Sequence, residues 1–366
     1  MDLTVTPEMT ALREVVASFF TRKNPISTVR EFLDDPRGYD TKTWLQLAEQ
    51  VGAQGLLIPE AYGGQESSLR EMAIVLEEAA HSLWGGPLVA SSVLATLALL
   101  ECADEGARSE WLPQLADGSV VATLVTALDR PFDDAVPTVT LQAGGTTVSG
   151  TVRYVLDAQL ADLFVVPVDV DGRTDLAVVE AGAPGLTVEV LPSIDLTRRL
   201  CTLTFADTPA TIVGTDVASG LAVALTAGAV AIGADQLGLL RAMVELAVEY
   251  TGVRKQFGVH IGSFQAVQHL CVDLFVAKES AAALVAAAAA ADPEEAAEQA
   301  HVLQAYTSEA TPLAGETALH LHGGIGYTWE HDIHLYLRRA KLDEALLGDS
   351  AAHRESLARR LDLAAH

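Results

Sequence analysis

The sequence predicts an α+β chain in three parts: helical, then β, then helical again. Three textures carry this. Apolar residues recur at helical spacing before about residue 115, strand-like alternation runs from about 118 to 215, and long Ala-rich helical runs follow from about 216. The parts are expected at residues 1–116, 117–215 and 216–366. With 366 residues, half of them apolar, a sizeable core is assured, and two or three subdomains fit the length better than one.

The elements follow in order. Trp44-Leu-Gln-Leu-Ala-Glu-Gln-Val51 and Leu69-Arg-Glu-Met-Ala-Ile-Val-Leu-Glu-Glu-Ala-Ala80 place apolar residues at i, i+3 and i+4, which gives a helix one face to bury. Pro59-Glu-Ala-Tyr-Gly-Gly64 reads as a loop between such helices. In the middle part, Thr138-Val-Thr-Leu-Gln-Ala-Gly-Gly-Thr-Thr-Val-Ser149 alternates around a Gly-Gly turn, as a hairpin does. Leu163–Val170, Leu176–Glu180 and Leu186–Leu191 follow at short intervals, so this part is expected to be mostly antiparallel β. Beyond residue 216, Ser280–Ala291 is a strong helix former that stops near Asp292-Pro293. A helical pattern resumes from Glu294 to Leu303, and no internal repeat is visible.

Composition narrows the function. A net charge of −26 argues against nucleic acid or an anionic membrane as partner, since those require basic surface. A phosphate-bearing ligand would need its own local Arg or Lys. Cys102, Cys201 and Cys271 are far apart and fit no disulfide or metal spacing. No metal is expected, the four histidines His320, His322, His331 and His334 reading as loop and interface residues. Met1-Asp-Leu-Thr lacks the basic and apolar regions of a signal peptide, so a cytoplasmic location is expected. The apolar run Leu221–Ala234 is too short to span a bilayer, and no membrane insertion is expected.

Two segments stand out. The first is Glu249-Tyr-Thr-Gly-Val-Arg254-Lys-Gln-Phe257-Gly258 with Ile261-Gly-Ser-Phe-Gln265-Ala-Val-Gln268. The second is His320-Leu-His-Gly323-Gly324-Ile-Gly326-Tyr327. The planar guanidinium of Arg254 can meet an anion with several donors. Phe257 offers an apolar face and Gln265 an amide. Glycines let backbone N–H groups approach a phosphate without a Cβ in the way.

On these residues, and on the helix–β–helix order, nearly the whole chain resembles the acyl-CoA dehydrogenases. The resemblance implies a helical N-terminal domain, a β-barrel-like middle domain and a C-terminal four-helix bundle. It implies FAD as cofactor, an acyl-CoA thioester as substrate and an electron-transfer flavoprotein as electron acceptor. Arg254, Phe257, Gln265, His320, Gly323, Gly324 and Gly326 would then hold the ADP half of FAD across a subunit interface. His320 stands where the family has an adenine-facing Gln. Thr126, in Thr126-Ala-Leu-Asp-Arg-Pro-Phe132-Asp133, would meet the pyrimidine edge of the flavin.

The chain departs from the family at the chemical end. The family's Thr-Glu-Pro-x-x-Gly-Ser-Asp has its Ser replaced by Phe132. The Thr that bonds flavin N5 in the family is replaced by Leu156, although Tyr154 can still cover a ring face. The family's catalytic Glu follows an Ala-Lys pair in a Tyr-Glu-Gly-Thr run. Here Ala340-Lys341 leads to Leu347, which cannot accept a proton. Some relatives place the Glu on the first long C-terminal helix, where this chain has Gly228. Asp235, about two turns on, is a candidate base or a polar interior group.

Three functions stay open at this point. The leading one is a subunit of a heteromeric enzyme, of the kind the family uses for bulky steroid side-chain thioesters. There a second acyl-CoA dehydrogenase-like chain supplies the base, and this chain alone is inactive. The second is a homomeric FAD dehydrogenase with a displaced base, and the third a flavin-free scaffold or regulatory protein.

Overall fold

The structure, a computed structural model, describes residues 3–134, 139–141 and 145–361. Six helices open the chain: α1 (Pro7–Lys23), α2 (Ile26–Phe32), α3 (Thr41–Val51), α4 (Leu69–His81), α5 (Thr96–Cys102) and α6 (Glu105–Ala116). Their starts follow from local chemistry. Asp40 accepts from Lys42 and Thr43 at the head of α3, and Ser68 with Glu71 forms a capping box on α4. A π-helical stretch, Leu88–Ala95, runs into α5. Such stretches recur at functional sites, and this one carries Leu94, which matters below.

Eight strands follow as one sheet: β1 (Ala122–Leu124), β2 (Val139–Leu141), β3 (Thr147–Leu156), β4 (Leu163–Val170), β5 (Arg173–Glu180), β6 (Leu186–Val190), β7 (Leu200–Pro209) and β8 (Thr211–Gly214). Their order is β6-β7-β3-β2-β4-β5-β8, with β1 added to β4. The pairings are antiparallel except β1–β4 and β2–β4. β2 and β3 form the hairpin expected from their alternation, with Val139 opposite Gly150, and the tip at 142–144 lies outside the described residues.

The run Leu163–Val168 is apolar throughout because both of its faces are covered. Leu163 and Val165 pack with the helices, whereas Phe164, Val166 and Val168 join Val148, Val152, Leu203 and Phe205 in a separate core that the sheet encloses. That second core gives the middle part its barrel-like character.

The C-terminal part holds α7 (Ala218–Val253), a short hairpin of β9 (Lys255–Gln256) and β10 (Val259–His260), and then α8 (Gln265–Ala289), α9 (Ala296–His322), α10 (Ile333–Asp343) and α11 (Ser350–Arg360). α7, α8, α9 and α11 make the bundle, and α10 lies on α7 and α9. The apolar run Leu221–Ala234 proves to be part of a 36-residue helix, long and apolar enough to cross a membrane. Of its most apolar window 89% is buried inside the fold, so α7 is the core helix about which the other parts pack.

Charge joins the three parts. Asp235 of α7 accepts from Arg198, in the loop before β7, at 2.9 Å, and from both Nε and Nη2 of Arg339 on α10, at 3.0 and 2.6 Å. Arg198 also bonds Asp343, and Arg339 donates to the Trp84 carbonyl of the helical N-terminal part at 2.6 Å. All four charged residues are buried. Burial works to raise the Asp235 carboxyl, but the guanidinium groups of Arg198 and Arg339 outweigh it and hold it below the usual range. Burial and the neighbouring Asp235 charge push Asp343 upward. Arg339 and Lys341 both find carboxylates within the chain, Arg339 on Asp235 and Lys341 on Glu316 and Glu344.

Removing one partner of a buried ion network strands the remaining charges. Asp235→Ala is therefore expected to cost about 3–5 kcal/mol of unfolding free energy. Urea denaturation checks this, and a loss below about 1 kcal/mol would show that the network does not hold the three parts together.

Candidate active site

The residues singled out in the sequence are brought to two places. At the first, the two positions where a base could stand converge. Leu347 is 1% exposed and follows α10 with φ of 59°, a left-handed backbone in which its N–H donates to the Leu128 carbonyl at 2.8 Å. A Cβ built on Gly228 would lie 3.4 Å from Leu347 Cδ1 and 2.4 Å from Leu94 Cδ2. The two alternative base positions thus share one spot, and a leucine from the π-helical stretch closes it. No carboxylate stands at either position. Asp235, the remaining candidate, is corrected: it is committed to Arg198 and Arg339, and a carboxylate so charge-stabilised is a poor proton acceptor.

The neighbouring loop is closed in the same way. Thr126 is half-buried, just past β1. Phe132 is buried and stacks on His301 of α9, centroids 4.3 Å apart and 22° between planes, with His353 of α11 at 5.8 Å. His301 Nε2 lies 3.2 Å from Asp133, and its Nδ1 lies 2.9 Å from His353 Nδ1. In its neutral form His301 donates from Nε2 to Asp133, and its bare Nδ1 accepts from His353 Nδ1–H. Burial lowers the His301 pKa, and burial together with His301 pushes His353 to about 4. Gly348, with φ of 105°, fits against this cluster, since its Cβ would meet Pro131 at 3.0 Å and His353 at 3.1 Å. Leu156 is buried at the end of β3, where only its carbonyl is engaged from a side chain, by Thr123 at 2.7 Å. Tyr154, with φ of 61°, has the Arg153 guanidinium 5.0 Å from its ring centroid.

The second place is open. Arg254 caps α7, its N–H on the Tyr250 carbonyl at 2.9 Å, and its side chain is exposed. Among the described residues no carboxylate pairs with it. Phe257 forms the tip of the β9–β10 hairpin with φ of 52° and is 93% exposed, which for a phenylalanine is a large apolar face left to solvent. Gln265 is exposed at the first turn of α8. α9 ends at Gly323, whose φ of 62° lets the backbone turn without strain. A Cβ on Gly323 or Gly324 would meet nothing within 4 Å, so their backbone faces open space. Gly326 has a different role, its Cβ being excluded by His322 and the Leu319 carbonyl at 3.1 Å. His320 is exposed on the same stretch. Among the described residues no group of three or more metal-ligating side chains is assembled.

Comparison with known proteins places this helix–sheet–helix architecture. The descriptions of the acyl-CoA dehydrogenase N-terminal and C-terminal domains match residues 6–119 and 218–362. The chain belongs to the acyl-CoA dehydrogenase family. It is 34% identical over 341 residues to the acyl-CoA dehydrogenase IpdE2 of Mycolicibacterium smegmatis, covering 93% of this chain and 94% of that one. It is 32% identical to the acyl-CoA dehydrogenase FadE34 of Mycobacterium tuberculosis, covering 96% of this chain but 47% of that protein. Among solved structures, the ChsE4-ChsE5 complex of Mycobacterium tuberculosis is similar at a TM-score of 0.89 and 27% identity, over 99% of each chain. A variant of the Tcur3481-Tcur3483 steroid acyl-CoA dehydrogenase is similar at 0.88 and 28%, over 98% of each.

FAD is the cofactor expected of this family. The ADP-end residues fit it: a guanidinium without a carboxylate partner, an open aromatic face and glycine backbone without steric cover. The flavin-ring end does not fit it. Leu156 offers no side-chain donor, and Phe132 with its two histidines occupies the loop that would meet the cofactor.

The convergence at Gly228 has a measurable consequence. Gly228→Ala forces a methyl into Leu94 and is expected to cost about 1–3 kcal/mol. Leu94→Ala alone is expected to cost about 2–5 kcal/mol. In the double variant the alanine methyl fills space vacated by Leu94, so the combined loss should fall short of the sum by about 1 kcal/mol or more. Strict additivity in a denaturation cycle would show that the two side chains do not share the spot.

Proposed function

We propose that this chain is the base-lacking subunit of a heteromeric FAD-dependent acyl-CoA dehydrogenase. A second, acyl-CoA dehydrogenase-like chain carries the base, the N5 contact and the acyl pocket. This chain lends the ADP-end contacts Arg254, Phe257, Gln265, His320 and the Gly323–Gly326 turn to a flavin seated on that partner. The observation that carries the reading is that both family positions for the base meet at one apolar, filled spot.

The chemistry explains why that spot decides. Removing a proton from the carbon next to a thioester needs a carboxylate held against it. FAD, when bound, supplies the hydride acceptor. Leu347, Gly228 and Leu94 can exclude water, but they hold no proton. Arg254 can neutralise a pyrophosphate and fix its position, and that role needs only the open end. A flavin-free scaffold is disfavoured by the same open end, since nothing in the packing requires an unpaired Arg254 and a solvent-exposed Phe257.

The substrate class we propose is a thioester with a bulky, steroid-derived acyl chain. It rests on the similarity to a steroid acyl-CoA dehydrogenase and to the two-chain ChsE4-ChsE5 complex. Electrons would leave through an electron-transfer flavoprotein, as the family resemblance implies.

Alone, the chain is expected to oxidise no acyl-CoA thioester, and Leu347→Glu is expected not to rescue it. The new carboxyl would be buried against Leu94 and would tend to keep its proton. Dye reduction with purified chain and a panel of straight-chain and steroid thioesters tests both. Turnover near about 1 s⁻¹ by the unaltered chain, ordinary for enzymes, would overturn the proposal. Activity in Leu347→Glu alone would show that only the base was lost and that the flavin seat is intact.

A further inference from the structure

The two halves of the ADP-end surface come from different helices. Arg254 leaves the end of α7, and the glycine turn leaves the end of α9. Behind them three rings meet. Tyr250, one turn before Arg254, stacks on His322, the residue before Gly323, with centroids 4.5 Å apart and 27° between planes. His331 closes the group, 4.3 Å from His322 and 6.2 Å from Tyr250.

Each ring is held from its own side. His322 is buried, and its Nδ1 lies 2.7 Å from the Ala318 carbonyl, so that nitrogen carries the proton and donates. His331 Nδ1 accepts the Ile333 N–H at 3.1 Å at the head of α10, which leaves its proton on Nε2. The His331 carbonyl accepts from Arg30, and Arg30 pairs with Asp332. The Tyr250 carbonyl takes the Arg254 N–H. In contrast, the chain from Gly252 to His260 and from Gly323 to Ile325 is exposed. The rings are therefore the packed foundation on which both exposed halves stand.

We infer that the Tyr250–His322 stack, backed by His331, sets the spacing between Arg254 and the Gly323–Gly326 turn. Tyr250 and His322 are then positioning residues for the adenosine diphosphate end of the cofactor, without touching it. This rests on the ADP-end role given under Proposed function. The stack acts on one separation. A pyrophosphate must meet the Arg254 guanidinium and the glycine N–H groups at once, and about an ångström of drift between the two helix ends carries one set of bonds out of range. A stacked aromatic pair resists such drift better than aliphatic packing, because its offset face-to-face geometry has a preferred distance.

The test uses the full chain and ADP as probe, titrated by calorimetry or by ligand line broadening, with thermal melting in parallel. The variants are Tyr250→Ala, Tyr250→Phe, His322→Ala, His322→Phe and Arg254→Ala. The expected result is that Arg254→Ala abolishes most of the binding and that each ring-to-Ala variant weakens it about two- to tenfold. Tyr250→Phe and His322→Phe, which keep a stacked ring, should bind ADP as the unaltered chain does. Rescue by the Phe variants separates positioning from general folding, since all five are also compared by melting temperature. If Arg254→Ala weakens binding and the Ala variants at 250 and 322 do not, the positioning inference falls and the ADP-end role stands. If the unaltered chain binds no ADP, or Arg254→Ala changes nothing, the ADP-end role itself falls and takes the inference with it.

Discussion

The buried charge lattice of Arg198, Asp235, Arg339 and Asp343 is the constraint on which the rest depends. It is where the loop before β7, the core helix α7 and the short helix α10 meet, and through the Trp84 carbonyl it reaches the N-terminal helices. Ion pairs removed from water are costly unless every remaining donor and acceptor is engaged. Their value lies in geometry, because a guanidinium fork against a carboxylate allows few orientations. The lattice therefore fixes the angle at which α10 leaves α7. That angle delivers Leu347 to Gly228 four residues after Asp343.

From this placement follows the contrast between the two ends of the site. At the chemical end the chain's own side chains fill the base position with Leu94 and Leu347, and place Phe132 on His301 and His353 in the loop nearby. At the ADP end, Arg254 stands exposed without a carboxylate partner among the described residues, and Phe257, with only Phe264 edge-on to it at 6.3 Å, is open to solvent. In a chain of net charge −26, an exposed Arg254 without a carboxylate among the described residues is consistent with the proposed anion-binding role. One surface closed and the other offered is the form expected of a chain that completes a site on another subunit.

Much of the fold was legible in the sequence because its signals are local. The continuous apolar run of β4, the alternation of β2 and β3 and the apolar spacing of α4 each depend on neighbours within a few positions. The helix α7 was underestimated, since its apolar run is only the part that faces the core on all sides. The residues of the candidate site could be singled out where compact motifs carry them, at Arg254–Gln265 and at His320–Gly326. What could not be read are the long-range partners. Asp235 meets Arg339 across 104 positions and Phe132 meets His301 across 169, and neither pair has a spacing that sequence periodicity can report. The same holds for Tyr250 and His322, which sit at unremarkable helical positions until the two helix ends are brought together. Asp235 illustrates the cost: a lone acid near the expected base invites a catalytic role, and only its two guanidinium partners show it to be structural.

Where the flavin sits decides between a shared and a self-held cofactor, and the number of flavins measures that directly. The assembled enzyme, this chain with its catalytic partner, is analysed by native mass spectrometry at saturating FAD. One FAD for each pair of unlike chains is the expected result, because this chain's own flavin-ring end is filled. Two FAD for each such pair would contradict it, since this chain would then be seating a flavin of its own.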